Sequence, residues 1–247
     1  MTGVPSAWFA GDGISLEQWT EERRLLNHPE EFEEPQEDRI IARYFCGVDL
    51  GKRRDPSTVA VLEQRKAPSG RAHYYVKHLK RFALKMLYTD IATTLKKMDA
   101  QLQTHAAKKG KKAVITWVLD CGGVGEGVAE MVEKAMPGAQ IIKVYLTGGV
   151  NPTIDRREVH LPKAQMVSTL VALFDGHFLH LTKRSQEIEA IKEELQNYEL
   201  RVSDEGRDSF GAFKTGQFDD LVTALALACW AGQAAQKGKF EPVRFWH

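Results

Sequence analysis

Four aspartates stand at the ends of apolar runs. Asp49 follows Tyr44–Val48, Asp120 follows Ala113–Leu119, and Asp219 and Asp220 open DDLVTALALACWAGQAA. The first two runs read as buried strands and the last as a buried helix. A carboxylate carried into such surroundings is costly unless a cation meets it. Each position also has a plainer use. Asp49 could close a turn ahead of Gly51, and an Asp at a helix start caps it and suits the dipole. One Asp satisfies the helix start, and two adjacent ones exceed what capping needs. Gathered in space, these groups would repel one another and hold their protons. Hard divalent cations resolve that conflict, because Mg²⁺ prefers carboxylate oxygens and keeps waters for substrate phosphates. Two such ions about 4 Å apart form the clamp used for in-line phosphodiester cleavage.

The elements that would position these residues can be followed along the chain. Tyr44–Val48 and a second β-branched run, Thr58–Leu62, make a hairpin, and His73–Phe82 alternates as a half-exposed third strand. Met86–Leu102 reads as an amphipathic helix with Leu87, Ile91, Leu95 and Met98 on one side, followed by the loop KKGKK. Asp120 leads into the glycine-rich turn CGGVGEG and a helix to Lys134, which places a carboxylate at a sheet's C-terminal edge, where α/β folds collect ligands. The turn lacks GxxxxGK[ST], so its glycines are read as letting the helix start close to the sheet. Gln140–Leu146 is a strand, Gly148–Pro162 a loop, and Lys163–Phe174 a helix. Phe178–Leu181 is strand-like, and Ser185 caps a helix to Asn197. Tyr198–Val202 and Ser209–Phe213 form a hairpin, and Asp219–Ala235 is the final helix.

Composition sets the class. The 247 residues are 27% charged and 43% apolar, as expected of a soluble globular domain with an appendage. The longest apolar run, Leu221–Gly232, is too short to span a bilayer, and the N-terminus is unlike a signal peptide. Cys46, Cys121 and Cys229 are odd in number and far apart, with no CxxC, which points to a reducing compartment. Residues 1–40 carry ten Asp/Glu against three Arg, and the remainder 31 Lys/Arg against 23 Asp/Glu. An acidic leader on a basic body points weakly to a polyanionic partner. Lys52, Arg53 and Arg54 beside Asp49, the KKGKK loop, Arg156, Arg157 and Lys214 could steer DNA. The histidines show no HExxH spacing, and His73, His177 and His180 are read as strand surface. Lys163 and Arg184 receive no role.

The order of hairpin with Asp, strand with Asp and final helix with Asp is that of the ribonuclease H-like fold. GVDLGKRRDPSTVAVL, LDCGGVGEG, LPKAQMVSTLVALFDGHFLHL and FDDLVTALALACWAG together resemble the nuclease domain of large terminase subunits of tailed bacteriophages. The resemblance spans roughly residues 41–235. It implies an α/β, three-layer fold, with a central mixed β-sheet flanked by helices, over 41–236. An acidic leader or linker (1–40) would precede it and a tail (237–247) would follow. It also implies a two-metal-ion DNA endonuclease using Mg²⁺ or Mn²⁺. Asp49 would contact both ions, Asp120 would be the second ligand, and Asp220 or Asp219 the third, with Asp220 preferred. Asp55 matches an accessory carboxylate. The implied partners are double-stranded DNA, a terminase ATPase domain or subunit, the small subunit and the portal, in the cytoplasm of an infected cell, with no membrane. Two departures stand out. Phe218 replaces the His that often precedes the paired aspartates, and the Walker motifs of the family's motor are absent.

Other readings compete. A Holliday-junction resolvase or transposase on the same fold would carry the same triad. An actin or sugar-kinase relative would need a second Asp-x-Gly hairpin, and none is visible. A non-catalytic DNA- or portal-binding module would not need the triad intact.

Overall fold

The computed structural model describes residues 39–51, 55–123, 125–181, 187–197, 199–202, 208–211 and 219–238. At the middle of the sheet lies β1 (Ile41–Asp49), buried from Tyr44 to Val48. It pairs antiparallel with β2 (Thr58–Lys66), which pairs antiparallel with β3 (Ala72–Arg81). On its other side β1 runs parallel to β4 (Lys112–Asp120), followed by β5 (Gln140–Thr147) and β7 (Glu158–Pro162), all parallel. The edges are β6 (Thr153–Asp155) and the two-residue β8 (Leu179–His180), giving the order β6-β7-β5-β4-β1-β2-β3-β8. A separate hairpin pairs β9 (Glu199–Val202) with β10 (Asp208–Gly211).

Five helices among the described residues cover the two faces. One face carries α1 (Tyr88–Lys108) and α2 (Gly125–Ala135), packed with Tyr44, Cys46, Val48 and Leu119. The other carries α3 (Lys163–Asp175), α4 (Ile188–Asn197) and α5 (Asp220–Gln236), packed with Phe45, Val118, Val144 and Leu161. The side-chain alternation of β1 thus divides two apolar cores, and the molecule has three layers.

The innermost helix is α5, buried at nearly every position from Asp220 to Ala234. Its small residues explain how it comes so close. A Cβ on Gly47 would lie 2.0 Å from the Ala224 carbonyl oxygen and 2.8 Å from the Ala228 nitrogen. Helix and strand therefore meet backbone to backbone, which only glycine at 47 permits. This contact fixes the start of α5 over the end of β1.

The strands and helices expected from the sequence are present, with three differences. Helix α1 starts at Tyr88, leaving Leu87 exposed at its N-cap and not on the expected apolar side, and it continues to Lys108, so the expected KKGKK loop is shorter. The expected loop Gly148–Pro162 contains the β6–β7 hairpin. In β7, Val159 and Leu161 are buried while Glu158 and His160 are exposed, a two-residue period within EVHLP. His73 is not strand surface: it is fully buried, with Nδ1 3.0 Å from His180 Nε2. The leader apart from its last residues, Ser185, and the tail beyond Gly238 lie outside the described residues. No helix among those described is long and apolar enough to cross a membrane.

Candidate active site

Because β1 and β4 are parallel with Val48 opposite Leu119, Asp49 and Asp120 end side by side. Alternation gives both the parity of Phe45, Gly47 and Val118, so they face α5. Asp120 Oδ1 accepts the Gly122 N–H at 2.8 Å, tying the carboxylate to the turn that leads into α2. Thr58, the partner of Asp49 in the hairpin, donates its hydroxyl to the Asp220 carbonyl oxygen at 2.7 Å in a buried bond. Strand and helix are thereby joined at the two aspartates. The intervening loop is closed by the Gly51 N–H on Ser57 Oγ (3.0 Å) and by Tyr88 Oη on the Gly51 carbonyl (3.0 Å).

The start of α5 is capped from outside. Asp219 occupies the N-cap position but makes no side-chain capping bond, so the capping use considered for one of the paired aspartates is not realised. Glu194, buried on α4, accepts the Val222 N–H through Oε2 at 3.1 Å and pairs through Oε1 with Arg81 at the end of β3. An acceptor from another helix thus satisfies the first turn, and the Asp219 carboxylate turns to Lys163 Nζ, 3.9 Å away. Burial pushes the Glu194 carboxyl up, against the pull of the Val222 N–H and Arg81. Replacing Glu194 with Ala removes the acceptor of a buried N–H and the partner of Arg81. We expect the variant to lose about 1.5–3 kcal/mol of stability, read by urea unfolding. A loss near zero would show that this bond does not hold the start of α5.

The aspartates share one field. Burial, then the charges of Asp120, Asp220 and Asp219, hold the Asp49 carboxyl far above the ordinary carboxylate range, and Lys163 opposes them. Asp220 is pushed up to about 7 by burial, then by Glu194, Asp219 and Asp55, with Arg81 opposing. Its Oδ2 is buried without a hydrogen-bond partner among the described residues. An all-oxygen donor set with an unsatisfied buried carboxylate oxygen fits a hard divalent cation. Among the described residues, no three Asp, Glu, His or Cys groups converge tightly enough to enclose one ion. The described aspartates are close enough to perturb one another without meeting at a single point.

Of the other expected residues, Asp55 is exposed on the loop between β1 and β2 and acts on Asp220 through its charge. Lys52, Arg53, Arg54 and Lys214 lie outside the described residues. Arg156 and Arg157 form the β6–β7 turn, Arg156 with φ of 53°. Register places Asp120 level with Val144 and Val159, so the two arginines sit two strands away and below the carboxylates. Thr58, Arg81, Lys163 and Glu194 were given no part by sequence reading. A signal for Glu194 did exist: it lies three residues after the buried Ile191, on the apolar side of its helix, where Glu needs a partner.

No protein-family model and no curated protein matches the chain. Solved structures do. The large terminase nuclease of the thermophilic phage G20c superposes with a TM-score of 0.54 at 21% identity, over 85% of this chain and 87% of that one. The same nuclease with bound cobalt gives 0.53 at 22% identity, over 80% and 84%. The human cytomegalovirus terminase nuclease domain, soaked with manganese and with an inhibitor bound, gives 0.55 at 13% identity, over 92% and 99%. What is shared with all three is the α/β, ribonuclease H-like architecture built around β1.

Proposed function

We propose that this chain, which has the fold of terminase nuclease domains, is a divalent-metal-dependent endonuclease that cuts double-stranded DNA during phage genome packaging. The observation that supports the proposal is that Asp49 lies in the field of Asp120, Asp220 and Asp219 at one sheet edge, with a buried Asp220 oxygen that has no partner among the described residues. Asp49, Asp120 and Asp220 would hold Mg²⁺ or Mn²⁺, with Asp219 and Asp55 at the margin. Cobalt and manganese in the similar nucleases support a divalent ion here. When bound, two such ions supply Lewis acidity at the attacking water and at the leaving 3′ oxygen.

The chain's own groups set the geometry for that chemistry. Thr58 holds the first residue of α5 to β2, and Glu194 with Arg81 fixes that helix's first turn. The acidic residues therefore sit on rigid elements. Arg156, Arg157, Lys52, Arg53, Arg54 and Lys214 are proposed to meet the DNA backbone. The partners would be a terminase ATPase domain or subunit, the small subunit and the portal, within an infected cell.

Supercoiled plasmid tests this reading. The protein should nick and then linearise it with Mg²⁺ or Mn²⁺ and leave it intact in EDTA. Intact plasmid under all conditions would refute the endonuclease. Four-way junctions cut in strong preference to linear duplex would replace packaging with junction resolution.

A further inference from the structure

Pro162 ends β7 on the same edge as Asp49 and Asp120, and Lys163 opens α3 immediately after it. The Lys163 ammonium stands 3.9 Å from Asp219 Oδ2, and its side chain is one-third exposed (32%). That separation is beyond hydrogen-bond reach, so the contact with Asp219 does not itself use the ammonium's three donors. Lys163 is also the cation whose charge is felt at Asp49. Among the described residues, two other half-buried cations, Arg81 and Lys143, are paired with Glu194 and with Glu158 at 3.3 Å.

Four aspartates would repel an approaching phosphodiester, and two divalent cations held by those carboxylates would only offset that charge, leaving the phosphate's own charge without a further partner. A flexible ammonium on the rim is suited to the rest, as a compact point charge for a phosphate oxygen. We infer that Lys163 is a substrate-contacting residue that binds a non-bridging oxygen of the DNA phosphate at this site. In the metal-free protein it rests against Asp219, and once the carboxylates are neutralised it turns to the DNA. The inference builds on the nuclease reading and extends it to a residue that is otherwise only half of a long ion pair.

Binding of a fluorescent duplex to the full-length chain, measured over a salt series in Ca²⁺, tests this, alongside steady-state cleavage in Mg²⁺. Each phosphate contact contributes about 0.9 to the slope of log K against log salt. Lys163→Met should reduce that slope by about 0.9 and lower kcat/KM at least about tenfold, as expected for one charge-assisted bond. Lys163→Arg should restore most of both. If the Met variant melts early, Lys163→Gln, which keeps a polar end without the charge, provides the same comparison. An unchanged slope in the neutral variant would overturn the inference and leave Lys163 as a partner of Asp219 alone. A wild-type protein that never cuts, yet loses slope on substitution, would remove the nuclease reading while keeping the phosphate contact.

Discussion

Asp49→Asn should abolish plasmid cleavage and raise the melting temperature of the metal-free protein. The two effects have one cause. Asp49 lies under the fields of Asp120, Asp220 and Asp219, and burial adds to them, so an ionised carboxyl there is held at a cost when no cation is bound. The amide has nearly the same shape and packs as well on Gly47 and α5, but it offers one acceptor oxygen where the carboxylate offers two. Metal-supported transition-state stabilisation amounts to several kcal/mol, so the cleavage rate should drop by about three orders of magnitude. Stability should move the opposite way, as is common when a strained functional carboxylate is neutralised. Plasmid conversion in Mg²⁺ and thermal melts in EDTA measure the pair. Cutting at the wild-type rate would remove Asp49 from the centre. Lost cutting with a lowered melting temperature would mark it as a structural residue.

The candidate residues stand out by type alone, because each aspartate interrupts an otherwise apolar pattern. Tyr44–Val48 and Ala113–Leu119 are short, continuous and rich in β-branched or aromatic residues, and both lie inside the strands observed. The final helix was equally plain, since seventeen residues with hardly a charge after Asp220 have no place except a core. What stayed hidden depended on tertiary pairing. Thr58 looks like any strand threonine until its register with Asp49 brings it to the Asp220 carbonyl. Lys163 was obscured because β7 is five residues long, begins at an Arg-Arg turn and ends in proline, so its edge position on the sheet was not apparent. His73 falls on the half-exposed side of the alternating β3 pattern, and Phe178 and His180 packed against the ring enclose it. In each case the local pattern was sound, and a partner more than fifty residues away decided the outcome.

Relative to Asp220→Asn, the metal-free wild-type protein should lose stability as pH rises from about 4 to about 7, and divalent metal should return it; the comparison cancels the opposite contribution of His73, whose ring burial pushes down to about 4. Asp220 carries the argument. Its carboxyl has an ordinary value of 3.8 and is pushed up to about 7 in the folded chain, first by burial and then by Glu194, Asp219 and Asp55. Between those limits the native state keeps a proton that the unfolded chain has released, so the native state binds more protons and unfolding becomes easier with increasing pH. At one pH unit per about 1.4 kcal/mol, the loss across the window is on the order of 4 kcal/mol. Asp49 is shifted in the same direction and adds to it. Below about pH 4 both states are protonated and the contribution is complete; above about 7 both are ionised and it is gone. A cation that binds only the folded carboxylates reverses the trend by mass action, stabilising by about 2.7 kcal/mol at a hundred times its Kd. Thermal and urea melts at pH 5, 6, 7 and 8, in EDTA and in Mg²⁺, give the two curves. Asp220→Asn should lack this loss, because an amide has no proton to lose, and should respond more weakly to Mg²⁺. A wild-type EDTA curve that runs parallel to that of Asp220→Asn over this window would mean that Asp220 is already ionised in the folded protein. In that case the response to Mg²⁺ decides, and an equal response of wild type and Asp220→Asn would remove the unsatisfied Asp220 oxygen from the cation site.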